Sequence, residues 1–302
     1  MSAENFSTAT ETDPLPLPTS SLRTLAVIGA GTMGRGIAET AAVHGLQVIV
    51  IEANPAALQT AQQQVATALD KAQRRDKLRG QTPADITARM QWSTQVDDAA
   101  CADFVVEAVS EQEHIKRELF TRLDTLCRPD VILASNTSSI SITRLAVLTQ
   151  RPTQVIGMHF FNPVPIMAPV EIVRGLTTAD STVAVTRDLA ERLGKQALVV
   201  ADSPGFVVNR ILMPLLNEAF FTLHEGVADA ATIDSLMQLG CNHPIGPLKL
   251  ADLIGLDVCL SILRVLHHEF GDPKFRPCPL LIRMVDAGHL GRKTNRGFYV
   301  YP

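Results

Sequence analysis

Two side chains in this 302-residue sequence have the types and spacing for proton transfer, His159 and Glu171. They sit in Gly157-Met158-His159-Phe160-Phe161-Asn162-Pro163-Val164-Pro165-Ile166-Met167-Ala168-Pro169-Val170-Glu171. A carboxylate on one imidazole nitrogen fixes the tautomer and stabilises the imidazolium, which leaves the other nitrogen to exchange a substrate proton. Oxidising an alcohol by hydride transfer requires such a base on the hydroxyl. Three prolines force the chain through a rigid excursion that can return Glu171 to His159. His159 also closes an apolar run, Gln154-Val155-Ile156-Gly157-Met158, and open α/β sheets bind ligands at the carboxyl ends of their strands. Two more loops carry polar groups suited to the same work. Ala134-Ser135-Asn136-Thr137-Ser138-Ser139 offers the Ser138 hydroxyl, and Pro204-Gly205-Phe206-Val207-Val208-Asn209-Arg210 places Asn209 at an expected interdomain cleft. Taken singly, each has a plain structural reading, because Ser/Thr/Asn clusters are commonly turns. Only their joint occurrence points to a site.

A second motif lies upstream. Gly29-Ala30-Gly31-Thr32-Met33-Gly34 follows the apolar run Leu25-Ala26-Val27-Ile28 and opens a helical pattern. In such a fingerprint Gly29 permits the tight turn, Gly31 lets the backbone approach a pyrophosphate, and Gly34 allows close helix-to-strand packing. The helix N-terminus adds unpaired N–H groups and positive dipole. Glu52 ends the second apolar run, at about the offset expected of the acid that accepts from a ribose 2′-hydroxyl. A carboxylate there repels a 2′-phosphate, so the expected cofactor is NAD rather than NADP.

These motifs need a framework. From Leu25 onward, continuous β-branched runs alternate with helical patterns, the signature of a parallel sheet covered on both faces. A long polar helix is expected around residues 55–79. After Val199-Val200 the pattern is helical alone, over about 204–225, 231–239, 248–270 and 279–287. The expected organisation is a disordered tail over 1–23, an α/β Rossmann-type NAD-binding domain over 24–203, and an all-α domain for substrate binding and dimerisation over 204–302. The tail's Ser, Thr and Pro content has no hydrophobic period and cannot offset its ordering entropy.

Composition closes off other classes. Hydrophobic residues are 46% and charged ones 19%, which suits a globular core, and the net charge of -4 argues against a nucleic-acid partner. No apolar run reaches the ~20 residues a membrane helix needs. The five cysteines are scattered without a CxxC pair, so no metal site or disulfide framework is expected, and a reducing, cytoplasmic location is.

From about Leu25 to Tyr301 the chain resembles the 3-hydroxyacyl-CoA dehydrogenase family. The resemblance rests on VIGAGTMGRGIA, VVEAVSE, ASNTSS, GMHFFNPVPIM, SPGFVVNRIL, NHPIGPLKLADLIGLD, RPCPLL and GRKTNRGFYVY, in that order. The short chain is most similar to the monofunctional 3-hydroxybutyryl-CoA dehydrogenases. The resemblance implies an (S)-3-hydroxyacyl-CoA substrate and a homodimer formed through the helical domain. It makes His159 the catalytic acid/base, Glu171 its orienting partner, and Ser138 and Asn209 the groups that bond the substrate's 3-oxygen and acyl end. It also gives Glu111, Lys116, Asn162 and Lys293 as residues that contact NAD or the nicotinamide neighbourhood. Lys71, Arg74, Arg75, Lys77 and Arg79 form a basic cluster on the expected second helix, with Arg75 at the family's basic CoA position and Ala68 where a hydroxyl is often found. The chain departs from the family pattern at Ala168-Pro169, where Lys-Leu is usual. A dehydrogenase of free hydroxy acids and a non-catalytic NAD-binding protein are the competing readings, and the second predicts a lost His/Glu pair.

Overall fold

The structure is a computed structural model that describes residues 15–302. The chain divides into two compact units, one ending at Asp202 and the other running from Ser203 to Pro302.

The first unit is an eight-stranded sheet: β1 (Thr24–Ile28), β2 (Gln47–Ile51), β3 (Met90–Ser93), β4 (Phe104–Glu107), β5 (Ile132–Ser135), β6 (Val155–Phe160), β7 (Pro169–Arg174) and β8 (Gln196–Ala201). Their spatial order is β3-β2-β1-β4-β5-β6-β7-β8. The helices are α1 (Thr32–Val43), α2 (Pro55–Gln73), α3 (Pro83–Thr87), α4 (Glu113–Leu126), α5 (Ile142–Ala146) and α6 (Asp180–Arg192). The central strands are buried on both faces, as their unbroken apolar runs require: Leu25, Ala26, Val27 and Ile28 are all core, as are Val155, Ile156 and Met158. The chain winds outward from β1 to β3, then returns to place β4 on the other side of β1. That reversal is a topological switch point, where a crevice opens at the carboxyl ends of the strands.

Three expectations are corrected here. The sheet is not wholly parallel, because β7 runs antiparallel to β6. Only the eight residues 161–168 separate the two strands, too few for a parallel crossover, so the chain must return as a hairpin. The long second helix stops at Gln73, not 79, because Asp76 and Arg79 take left-handed backbone. The tail is ordered before residue 24. Residues 1–14 lie outside the described residues, but Thr19–Ser21 form a short 3-10 turn, Leu22 is buried, and Arg192 donates to the Leu22 carbonyl at 2.8 Å. The short, partly polar β3 (Met-Gln-Trp-Ser) carries no apolar run and escaped the pattern.

The second unit contains α7 (Val208–His224), α8 (Ala230–Cys241), α9 (Pro247–Ile254), α10 (Leu256–Phe270) and α11 (Pro279–Asp286) around its own core of Phe220, Leu248, Leu260, Leu263 and Phe275. The single helix expected over 248–270 is two, broken at Gly255, whose φ of +106° no L side chain adopts without strain. All five cysteines are free. No helix among the described residues is long and apolar enough to cross a membrane.

One buried acid makes a stability prediction. Burial raises the Glu39 carboxyl on α1 from 4.5 to about 7, against the opposing charge of Arg35. A raised folded pKa means the native state holds a proton that the unfolded chain has released, so stability falls as pH rises from 4.5 through 7. The full difference is on the order of 3 kcal/mol. Glu39→Gln is therefore expected to raise Tm by about 5 °C well above pH 7 and to change little below 4.5. A thermal shift independent of pH in scanning calorimetry would sink this account.

Candidate active site

The carboxyl ends of β1, β2, β4, β5 and β6 share one edge of the sheet, because these strands are parallel. The β1–α1 turn carries the glycines. A Cβ on Gly34 would lie 1.8 Å from the Gly29 carbonyl oxygen, so only glycine lets the helix pack this closely on the turn. At Gly31 the reverse holds, since a Cβ there meets nothing within 4 Å. Gly31 is the N-cap of α1 and makes no side-chain cap, which leaves the first N–H groups of the helix for another acceptor. Glu52, just past β2, closes the turn: its carboxylate accepts from Ala30 N and from Asn54 N, each at 3.1 Å.

His159 and Glu171 are direct partners across the antiparallel β6–β7 pair. Opposed residues of such a pair project from the same face. Here Nδ1 of His159 lies 2.7 Å from Oε2 of Glu171, and both side chains are buried. The Phe161 ring tilts against the imidazole with centroids 4.9 Å apart. The β5 loop is tied to the same strand end, because Phe160 N donates to Oδ1 of Asn136 at 3.0 Å.

Ser138 belongs to a third assembly. Oε1 of Glu111 accepts from Ser138 N at 2.8 Å and lies 3.2 Å from Ser138 Oγ, and it also accepts from the hydroxyls of Thr137 (2.5 Å) and Ser139 (3.0 Å). Behind Glu111 stands Lys116, 1% exposed, whose ammonium is 3.2 Å from Glu111 Oε2 and 2.5 Å from Glu107 Oε1. Burial alone would raise the Glu111 carboxyl, but Lys116 and the hydroxyl and amide donors outweigh it and hold it below its ordinary value. Glu107 is fully buried, and there desolvation wins over Lys116 and Ser135 and raises the carboxyl. Glu107 was missed in the sequence, where a carboxylate closing an apolar strand gives no sign of its burial. The structure thus places Lys116 behind the loop it braces, not at its surface.

Comparison with known proteins decides what this assembly belongs to. The 3-hydroxyacyl-CoA dehydrogenase NAD binding domain matches residues 24–203, and the C-terminal domain of the same family matches 205–301. The chain belongs to the 3-hydroxyacyl-CoA dehydrogenase family. It is 48% identical to a probable 3-hydroxybutyryl-CoA dehydrogenase of Bacillus subtilis, over 93% of this chain and 98% of the relative. It is 50% identical to another from Deinococcus radiodurans, over 91% and 99%. The crystal structure of (S)-3-hydroxybutyryl-CoA dehydrogenase from Ralstonia eutropha superposes with a TM-score of 0.89 at 52% identity, covering 93% of this chain and all of that one.

As a 3-hydroxyacyl-CoA dehydrogenase the chain takes NAD, and its residues fit that cofactor. The open space over Gly31, the uncapped α1 N-terminus and the Glu52 carboxylate are what a pyrophosphate and an adjoining ribose diol need. Gly31→Ala is expected to leave Tm unchanged and to raise the NADH Kd about 10-fold, since the methyl group enters only the cofactor's space. A fluorescence titration with unchanged Kd would show that the cofactor does not lie over this residue.

The remaining sequence candidates fall on both units. Asn162 is exposed in the proline loop, two residues past the end of β6. Arg75 is exposed in the turn after α2, as are Lys77 and Arg79, so the basic cluster is not a helix face as expected. In the helical unit, Asn209 is half-buried in the first turn of α7, and Lys293 pairs with Asp257 at 2.6 Å. No group of three or more His, Cys, Asp or Glu among the described residues is arranged to hold a metal ion.

Proposed function

We propose that this enzyme is a short-chain (S)-3-hydroxyacyl-CoA dehydrogenase that interconverts 3-hydroxybutyryl-CoA and acetoacetyl-CoA, with His159 and Glu171 as its acid/base pair. The observation that carries the reading is the 2.7 Å contact between the His159 and Glu171 side chains at the ligand-binding edge of an NAD-binding sheet. The names of the relatives at 48–52% identity support the acyl length.

Bound NAD supplies the hydride acceptor, and in its reduced form the donor, for C3 of the substrate. The protein handles the proton. With Nδ1 held by Glu171, Nε2 of His159 takes the proton of the 3-hydroxyl during oxidation and returns one to the 3-oxygen during reduction. Glu171 stays ionised and lowers the free energy of the imidazolium. Ser138 positions the 3-oxygen, and Glu111, braced by Lys116, sets where that hydroxyl stands. Glu111 and Lys116 act on the nicotinamide neighbourhood through the loop that they hold. Asn209 is assigned to the acyl end, Asn162 and Lys293 to the nicotinamide neighbourhood, and Arg75 to the phosphates of CoA. Exposed apolar residues on the helical unit, Ile211 on α7 with Leu236 and Leu239 on α8, support a homodimer through that unit, which sedimentation equilibrium tests. The free thiols suit a reducing compartment such as the cytoplasm.

The test is NADH consumption by the purified protein with acetoacetyl-CoA, with free acetoacetate as control. Rapid oxidation of NADH with the thioester alone is the expected result. Equal or faster reaction with the free acid overturns the thioester reading in favour of a hydroxy-acid dehydrogenase.

A further inference from the structure

The segment between His159 and Glu171 has few means of holding its own shape. Pro163, Pro165 and Pro169 have no N–H to donate. Its internal bonds are those of a single turn, in which Ile166 N and Met167 N both donate to the Pro163 carbonyl at 3.0 Å. Yet this segment starts with Phe161 against the His159 ring, carries Asn162 next, and ends at Ala168, three residues before Glu171.

What grips it comes from outside. Lys195, in the turn between α6 and β8, is only 8% exposed. Its ammonium donates to the Val164 carbonyl and, at 2.8 Å, to the Met167 carbonyl. The next residue adds a backbone bond, Gln196 N to the Ala168 carbonyl at 2.8 Å. The Val164 side chain is buried against α1, where a Cβ on Gly36 would come within 2.8 Å of it. Among the described residues, the partners of the Lys195 ammonium are the Val164 and Met167 carbonyls and no carboxylate. Its titratable neighbour is His44, whose pKa is lowered by burial and by the charges of Arg79 and Lys195. A buried ammonium costs free energy that only its hydrogen bonds offset, so the two carbonyls and the ammonium hold one another in place. Two carbonyls three residues apart, gripped by one charge, define the loop's curvature more tightly than its own turn can.

We propose that Lys195 is a positioning residue of the dehydrogenase, its ammonium clamping the proline loop so that Phe161 and Asn162 stand correctly beside the His159–Glu171 pair. The proposal rests on the function given above, and its test has one readout that does not. In Lys195→Met, hydrogen exchange at Ile166 and Met167 is expected to be about 10-fold faster, with β6 amides unchanged. The kcat with acetoacetyl-CoA is expected to fall about 10- to 100-fold while the NADH KM stays within about twofold, because misplacement by a fraction of an ångström acts on the reacting geometry and not on the glycine turn. Lys195→Gln keeps two N–H donors without the charge. It is expected to recover part of both effects, and it carries the test if the methionine variant does not fold. Unchanged exchange in the 161–168 segment overturns the clamp, whatever the rate. Faster exchange with unchanged kcat overturns its role in positioning. If the wild-type enzyme ignores thioesters, the functional reading has failed, and the exchange result alone decides whether Lys195 holds the loop.

Discussion

Glutamine in place of His159 is expected to lower kcat by about 10³-fold in both directions while the NADH Kd stays within about twofold. Glutamine approximates the size of the imidazole and can still meet Glu171, but it cannot accept and return a proton near neutral pH. The selectivity of the effect follows from position. His159 lies on β6 and the glycine turn lies after β1, with β4 and β5 between the two strands. Removing the proton acceptor should therefore leave the cofactor's phosphates and ribose undisturbed. Stopped-flow single-turnover kinetics with NADH and acetoacetyl-CoA would report the chemical step directly. A variant that turns over within tenfold of wild type would remove His159 from its assigned role.

Glu171→Gln should be nearly as damaging, with kcat/KM down by about 10²- to 10⁴-fold. The carboxylate accepts a hydrogen bond from Nδ1 and favours the tautomer whose Nε2 can take a proton. An amide can instead donate to Nδ1, which leaves the proton on Nε2 and blocks the base. It also withdraws the charge that stabilises the imidazolium. Because the equilibrium constant of the reaction is fixed, kcat/KM must fall by the same factor in both directions. The double variant should be little worse than His159→Gln alone, since two residues that act as a unit lose one function between them. Additive losses would show that Glu171 acts on something other than His159.

The register of one hairpin underlies both expectations. An imidazole and a carboxylate twelve positions apart have no necessary relation in a sequence. The antiparallel return of β7 sets His159 directly opposite Glu171, and a slip of one residue would turn one of them to the other face. The short spacing between the two strands already ruled out a parallel crossover, so this feature could have been read in advance from loop length. Other features could not. Arg75 follows an uninterrupted helical pattern, and only the left-handed backbone at Asp76 and Arg79 moves it off the helix. Lys116 looks like any surface lysine on an amphipathic helix until the fold encloses it between Glu107 and Glu111. Lys195 sits 31 residues from the Val164 carbonyl that it holds.

The amino-acid sequence by itself determined the division into an α/β unit and a helical one, the glycine turn with Glu52 at its end, and the residue types able to carry a proton. These depend on short-range rules, namely apolar periodicity, the steric freedom of glycine and the chemistry of single side chains. Tertiary structure alone decided the register that sets Glu171 directly opposite His159, and the burial of Lys116 against Glu107 and of Lys195 against the Val164 carbonyl. Those outcomes depend on sheet register and on the desolvation of charges by segments distant in the chain, and neither quantity exists until the chain has folded.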